Sequence, residues 1–255
     1  MNKAVRSILK KRTLWIVIIA VFVIISIGGI RWATFARPPL PEAIAALDND
    51  AVVAVTAEPW LVFSPAQTSP TTGFIFYPGG RIDPRGYAPL MREIASRGYL
   101  VVVPEMPLNM AVFNPNIAGK IIENYPNINH WVIAGHSVGG TMAAQYTDNH
   151  QDVIDGLMIW ASYPAGNADL SGIDIPVVSI FGSLDPRVNE NSVADRKDLL
   201  PDTTRYIRIE GGDHHQFGSY ETKPENDHAT ISRASQHDQI VTATVEILQV
   251  IAKIE

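Results

Sequence analysis

The sequence has no cysteine, and that absence removes disulfides, thiolate metal centres and a cysteine nucleophile. It has no repeat period and no low-complexity block, which excludes solenoids and tandem arrays. Charged residues make up only 18% against 46% hydrophobic ones, a balance that excludes a disordered chain. Acidic residues are missing from positions 1–36, where Lys3, Arg6, Lys10, Lys11, Arg12 and Arg31 stand alone. The remaining 14 basic residues therefore face all 26 acids, and residues 37–255 carry a net charge of −12. Such a body repels a phosphate backbone, so nucleic acid is not expected as a partner.

What is present first is a long apolar run. "LWIVIIAVFVIISIGGI", residues 14–30, carries no charge, and as a helix it spans roughly 26 Å, near the lower limit for crossing a bilayer. Five basic residues precede it, which predicts a basic cytoplasmic segment over 1–13 and a transmembrane signal anchor over 14–30. The body would then sit on the extracytoplasmic side of the cell membrane as a single-pass protein. The alternative is a signal peptide cleaved after Ala36, giving a secreted product, although signal apolar regions are usually shorter than this one. Residues 31–50, including "RPPLPEAIAALDND", read as a linker.

Residues 51–255 alternate short apolar runs with helical stretches, which predicts one domain. "AVVAVTA" and "WLVFSP" read as a strand hairpin; "GFIFYPGG", "YLVVVPE", "HWVIAGHS", "VIDGLMIWAS", "IPVVSIFGS" and "TRYIRIEGG" read as further strands. Helices are expected over 83–98, 116–125, 139–150 and 235–255. Strands built almost wholly of Val, Ile, Leu and Phe are buried on both faces, so the reading is an α/β fold with a doubly wound, mostly parallel sheet. Only about 15 residues, 161–175, separate two of the strands, too few for a cap domain.

Gly135-His136-Ser137-Val138-Gly139 lies between a buried strand and a small-residue helix. This is the setting in which G-x-S-x-G places a serine on a sharp turn at the carboxyl edge of a sheet. Serine needs a histidine base held by a carboxylate, and in this fold type they follow in the order Ser, Asp, His. "VVSIFGSLDPRV" supplies Asp185, which competes with a reading as a helix cap before Pro186. "RIEGGDHHQFG" supplies His214 and His215, with Asp213 beside them. Asp-His-His is also a metal-ligand pattern, but no further ligands stand at a recognisable spacing, so neither metal nor cofactor is expected. An oxyanion hole would take the backbone N–H of Val138 and, from the turn after "GFIFYPGG", that of Gly80, with Arg81 next in line. His130, His150, His228 and His237 read as solvated surface residues.

These residues resemble the α/β-hydrolase superfamily over about 50–255. More narrowly they resemble its small dienelactone-hydrolase-like branch, in which "PGG" with a following Asp, "YAPL", "GYLVVVPEMPLN", "AGHSVGG" and "GGDHHQFG" recur in this order. The resemblance implies a serine hydrolase of esters or related acyl bonds, with nucleophile Ser137, acid Asp185 and base His214. His215 would then be an outer wall of the cleft, and Asp213, where an uncharged residue is usual, would favour the charged form of the base. The partner implied is a small-molecule acyl substrate. A lipase, thioesterase or peptidase using the same residues, or a non-catalytic anchored binding protein, are the alternatives.

Overall fold

Phe74 and Phe76 pack on one face of a strand while Ile75 and Tyr77 pack on the other, which explains why the run reads as continuously apolar. The computed structural model describes residues 3–253, so positions 1–2 of the basic segment and 254–255 of the last expected helix lie outside it. In chain order the elements are α1 (Lys3–Ala33), α2 (Pro41–Ala45), β1 (Val53–Thr56), β2 (Leu61–Pro65), β3 (Thr72–Tyr77), α3 (Ala88–Ser96), β4 (Leu100–Val103), α4 (Ile117–Asn124) and β5 (His130–His136). They continue with α5 (Val138–Asn149), β6 (Gly156–Trp160), β7 (Val177–Gly182), α6 (Glu190–Ala194), β8 (Arg205–Ile209) and α7 (Arg233–Ile251).

Eight strands form one sheet in the order β1-β2-β4-β3-β5-β6-β7-β8. The expected hairpin is there: β1 pairs antiparallel with β2, and β2 antiparallel with β4. All other pairs are parallel, with β3 beside both β4 and β5. One face packs on α3 and α7 through Leu90, Ile94, Ile240 and Leu248 around Trp160 and Phe76, whose rings lie 4.7 Å apart. The other packs on α4 and α5 through Ile117, Ile121, Ala143 and Ala144. This is the α/β-hydrolase arrangement without a cap domain: the chain between β6 and β7 holds only turns.

Helix α1 belongs to a separate unit, residues 1–35. Within it Trp15–Trp32 has a mean hydropathy of 2.3 and no residue buried by protein, so the helix is long and apolar enough to cross a membrane. The second unit starts at Ala36. Residues 37–50, read from the sequence as part of a linker, belong to this second unit: Arg37 bridges to Ile82, Pro39 bridges to Tyr220, and α2 buries Ala43. Backbone hydrogen bonding holds this stretch, and its proline-rich, aperiodic sequence gives no sign of that.

Candidate active site

Ser137 follows β5 and caps α5 in a left-handed backbone conformation, φ 53°, that a residue with a side chain rarely adopts. The conformation is held from outside. The Ser137 N–H donates to Trp160 C=O at 2.9 Å, and Ser162 Oγ donates to Ser137 C=O at 2.6 Å. Ser162 is in turn 3.1 Å from Thr141 Oγ1. The neighbouring glycines are steric necessities. A Cβ on Gly139 would collide with the backbone of Tyr77 and Pro78, and one on Gly135 with the backbone of Gly139.

The turn after β3 runs beside the same serine. A Cβ on Gly80 would touch the Val138 side chain, so the two backbones are close neighbours. The Gly79 N–H is used by Tyr87 Oη at 3.0 Å, and the Arg81 N–H by Asn109 C=O at 2.7 Å. The N–H of Arg81, next in line as an oxyanion donor, is thereby committed elsewhere. Gly80 N–H has no acceptor among the described residues, and Val138 N–H heads the first turn of α5, where helix donors go unused. Arg81, Leu108, Asn109 and Ala161 share positive φ with Ser137. Backbone strain therefore gathers at this end of the sheet.

Asp185 follows β7 and His214 follows β8. His214 Nδ1 donates to Asp185 Oδ2 at 2.7 Å, with both side chains almost fully buried. The two oxygens of Asp185 have separate partners, and the expected helix cap is replaced by a turn. Oδ1 accepts from the N–H groups of Arg187 and Val188 at 2.7 and 2.9 Å, shaping the turn, while Oδ2 serves the imidazole. No helix starts at Pro186; α6 begins only at Glu190. Ser137 and His214 line one cavity of about 170 Å³ with Val138, Thr141, Tyr163 and Arg187. Arg187 has no carboxylate within ion-pair distance among the described residues.

The residues beside His214 differ from expectation. Asp213 is buried, and its Oδ1 accepts from His215 N–H while its Oδ2 accepts from His228 N–H at 2.9 Å. Both oxygens thus serve backbone donors that shape the loop. Gln236 on α7 clamps the same residue, accepting from Asp213 N–H at 2.9 Å and donating to its C=O at 2.8 Å. His215 is buried too, and is no outer wall, because a 3-10 turn follows His214 and carries the ring inward. Burial, then the nearby Arg37 and His214, push the His215 pKa down to about 3, so its Nδ1 is a neutral acceptor for the Arg37 guanidinium at 3.3 Å.

His136 and Tyr87 escaped the sequence reading. His136 is fully buried, its ring centroid 4.7 Å from that of His214, and its Nδ1 lies 2.8 Å from Tyr87 Oη. Burial, then the two neighbouring histidines, keep it well below the ordinary imidazole range. Nothing in the sequence marks it except its place on the buried strand. His237, expected at the surface, is also largely enclosed, and its pKa is lowered to about 4 by burial. Among the described residues no three His, Asp or Glu side chains converge to hold a metal ion.

Residues 73–238 match the model of the alpha/beta hydrolase family. No curated protein matches the chain. Among solved structures, Est1E from Butyrivibrio proteoclasticus superposes with a TM-score of 0.56 at 9% identity, covering 79% of this chain and 100% of that one. A predicted CIB-like hydrolase from Thermoplasma acidophilum gives 0.53 at 18% identity, covering 76% and 95%. MGS-MChE2, an alpha/beta hydrolase enzyme from a lagoon-sediment metagenome, gives 0.51 at 17%, covering 64% and 89%. At these identities the likeness is one of fold.

Proposed function

The chain belongs to the alpha/beta hydrolase family, and from that premise we propose that it is a membrane-anchored serine hydrolase cleaving an ester or related acyl bond. The observation that carries the reading is the arrangement of the buried Asp185–His214 pair at 2.7 Å with His214 and Ser137 lining the same cavity. In this reading Ser137 Oγ attacks the acyl carbon as His214 Nε2 takes its proton. Asp185 fixes the Nδ1–H tautomer and stabilises the imidazolium. The N–H groups of Val138 and Gly80 stabilise the tetrahedral oxyanion. Collapse expels the alcohol, which receives the proton from His214 and leaves an acyl-enzyme that water then hydrolyses by the same steps. No cofactor takes part, and the substrate is a small acyl compound reaching an uncapped site.

A fluorophosphonate probe tests this directly. It should label the wild-type chain covalently and leave Ser137→Ala unlabelled. Wild type that is folded yet unlabelled would remove the nucleophile from position 137.

Anchoring is the second part of the proposal. Trp15–Trp32 is uncharged apart from Arg31 and follows a basic segment, a pattern that keeps the N-terminus cytoplasmic and the hydrolase domain outside. Membranes washed at alkaline pH should retain the protein at full mass. A soluble exported product beginning near Arg37 would instead establish cleavage.

A further inference from the structure

The stretch that leads from the apolar helix into the domain touches both loops on which the proposed chemistry depends. Arg37 N–H donates to Arg81 C=O at 2.8 Å, and Asp83 N–H donates to Arg37 C=O at 3.1 Å. Three residues later Leu40 N–H donates to Ser219 C=O at 2.9 Å, and Glu221 N–H donates to Pro38 C=O at 2.9 Å. Four residues thus form a parallel bridge to the turn bearing Gly80 and an antiparallel bridge to the loop bearing His214. A side-chain contact joins them, from Arg37 to His215 Nδ1, the residue next to the base.

The bonds around Gly80 show what this does. Its preceding residue is held by Gly79 N–H on Tyr87, and its following residue by Arg81 N–H on Asn109 and Arg81 C=O on Arg37. Arg81 itself sits at φ 57°, a conformation that persists only when its surroundings hold it. The strap is one of those holds, and its other end grips the base loop.

We propose that residues 37–40 act as a positioning strap that holds the oxyanion turn and the base loop in register, with Arg37 acting on the base through His215. The inference rests on the reading of Ser137, Asp185 and His214 as a catalytic triad. It makes the segment next to the membrane helix a working part of the site, and displacement of that segment lowers turnover without any change in the residues that meet substrate.

The test uses the full-length protein in detergent, with Arg37→Ala, Arg37→Lys and Leu40→Pro, the last deleting the N–H that bonds Ser219. A misplacement of about 1 Å in a site costs up to about 10²-fold. Arg37→Ala should lower kcat about tenfold with KM nearly unchanged, in keeping with loss of one hold among several. Arg37→Lys should recover part of it, and Leu40→Pro should lower kcat further. Hydrogen exchange needs no substrate and should quicken in 79–83 and 213–221 in the same variants. Turnover by wild type with kcat unchanged in folded Arg37→Ala would overturn the strap. Loss that merely tracks the unfolded fraction, or unfolding of both Arg37→Ala and Leu40→Pro, would make it a structural tie and overturn it as well. Faster exchange in both loops with no turnover by wild type would leave the strap standing and sink the hydrolase reading instead.

Discussion

Replacement of His214 by alanine is expected to lower ester hydrolysis by about 10⁶-fold, the loss seen when the base of a serine triad is removed. His215→Ala is expected to cost only about tenfold, because its ring meets Arg37 and Tyr220 and has no place among the cavity residues. The contrast is sharp although the two residues are adjacent. The 3-10 turn that starts at His214 sets their rings at 88° to one another, so one imidazole reaches Asp185 and the other is buried away from the cavity. Rates of both purified variants on one short ester decide the matter. Equal losses would refute the assignment, and a loss confined to His215→Ala would reverse it.

Asp185→Asn should lower kcat by about 10⁴-fold with the fold intact. An asparagine retains an oxygen for the Arg187 and Val188 N–H groups, so the turn after β7 survives. The amide nitrogen that then faces His214 donates where the carboxylate accepted. It holds the imidazole in the wrong tautomer and provides no charge to stabilise the imidazolium. Thermal unfolding should shift little while kcat collapses. Near-normal turnover would make Asp185 a turn residue only and move the acid elsewhere.

The strands and the serine turn were legible because each is written locally. Runs such as "GFIFY" are apolar at every position only when both faces are covered, and glycines at 135 and 139 are demanded by backbone that would otherwise collide. The order Ser, Asp, His came with the fold type, and countable strands located a candidate for each. What stayed hidden depends on partners distant in sequence. The strap at 37–40 has no periodicity, since its hold comes from backbone bonds to positions 81, 83, 219 and 221. His136 and Tyr87, 49 positions apart, meet only once α3 packs on the sheet. The loop-shaping bond from His228 N–H to the Asp213 carboxylate joins positions 15 apart, and the sequence gives no sign of it. The dual service of Asp185 could not be foreseen either, because composition does not say how two oxygens divide their work.

The clamp from Gln236 sets an order of events during biosynthesis. A chain made from its N-terminus has Ser137 and the strands around it long before residue 236 exists. Until α7 is complete and docked, the backbone of Asp213 lacks both of its bonds to the Gln236 side chain, and the loop that presents His214 lacks one of its holds. If Ser137 and His214 act as proposed, a growing chain has its nucleophile in place before its base is fully held. Docking of the last helix adds the Gln236 clamp and completes the hold on that loop.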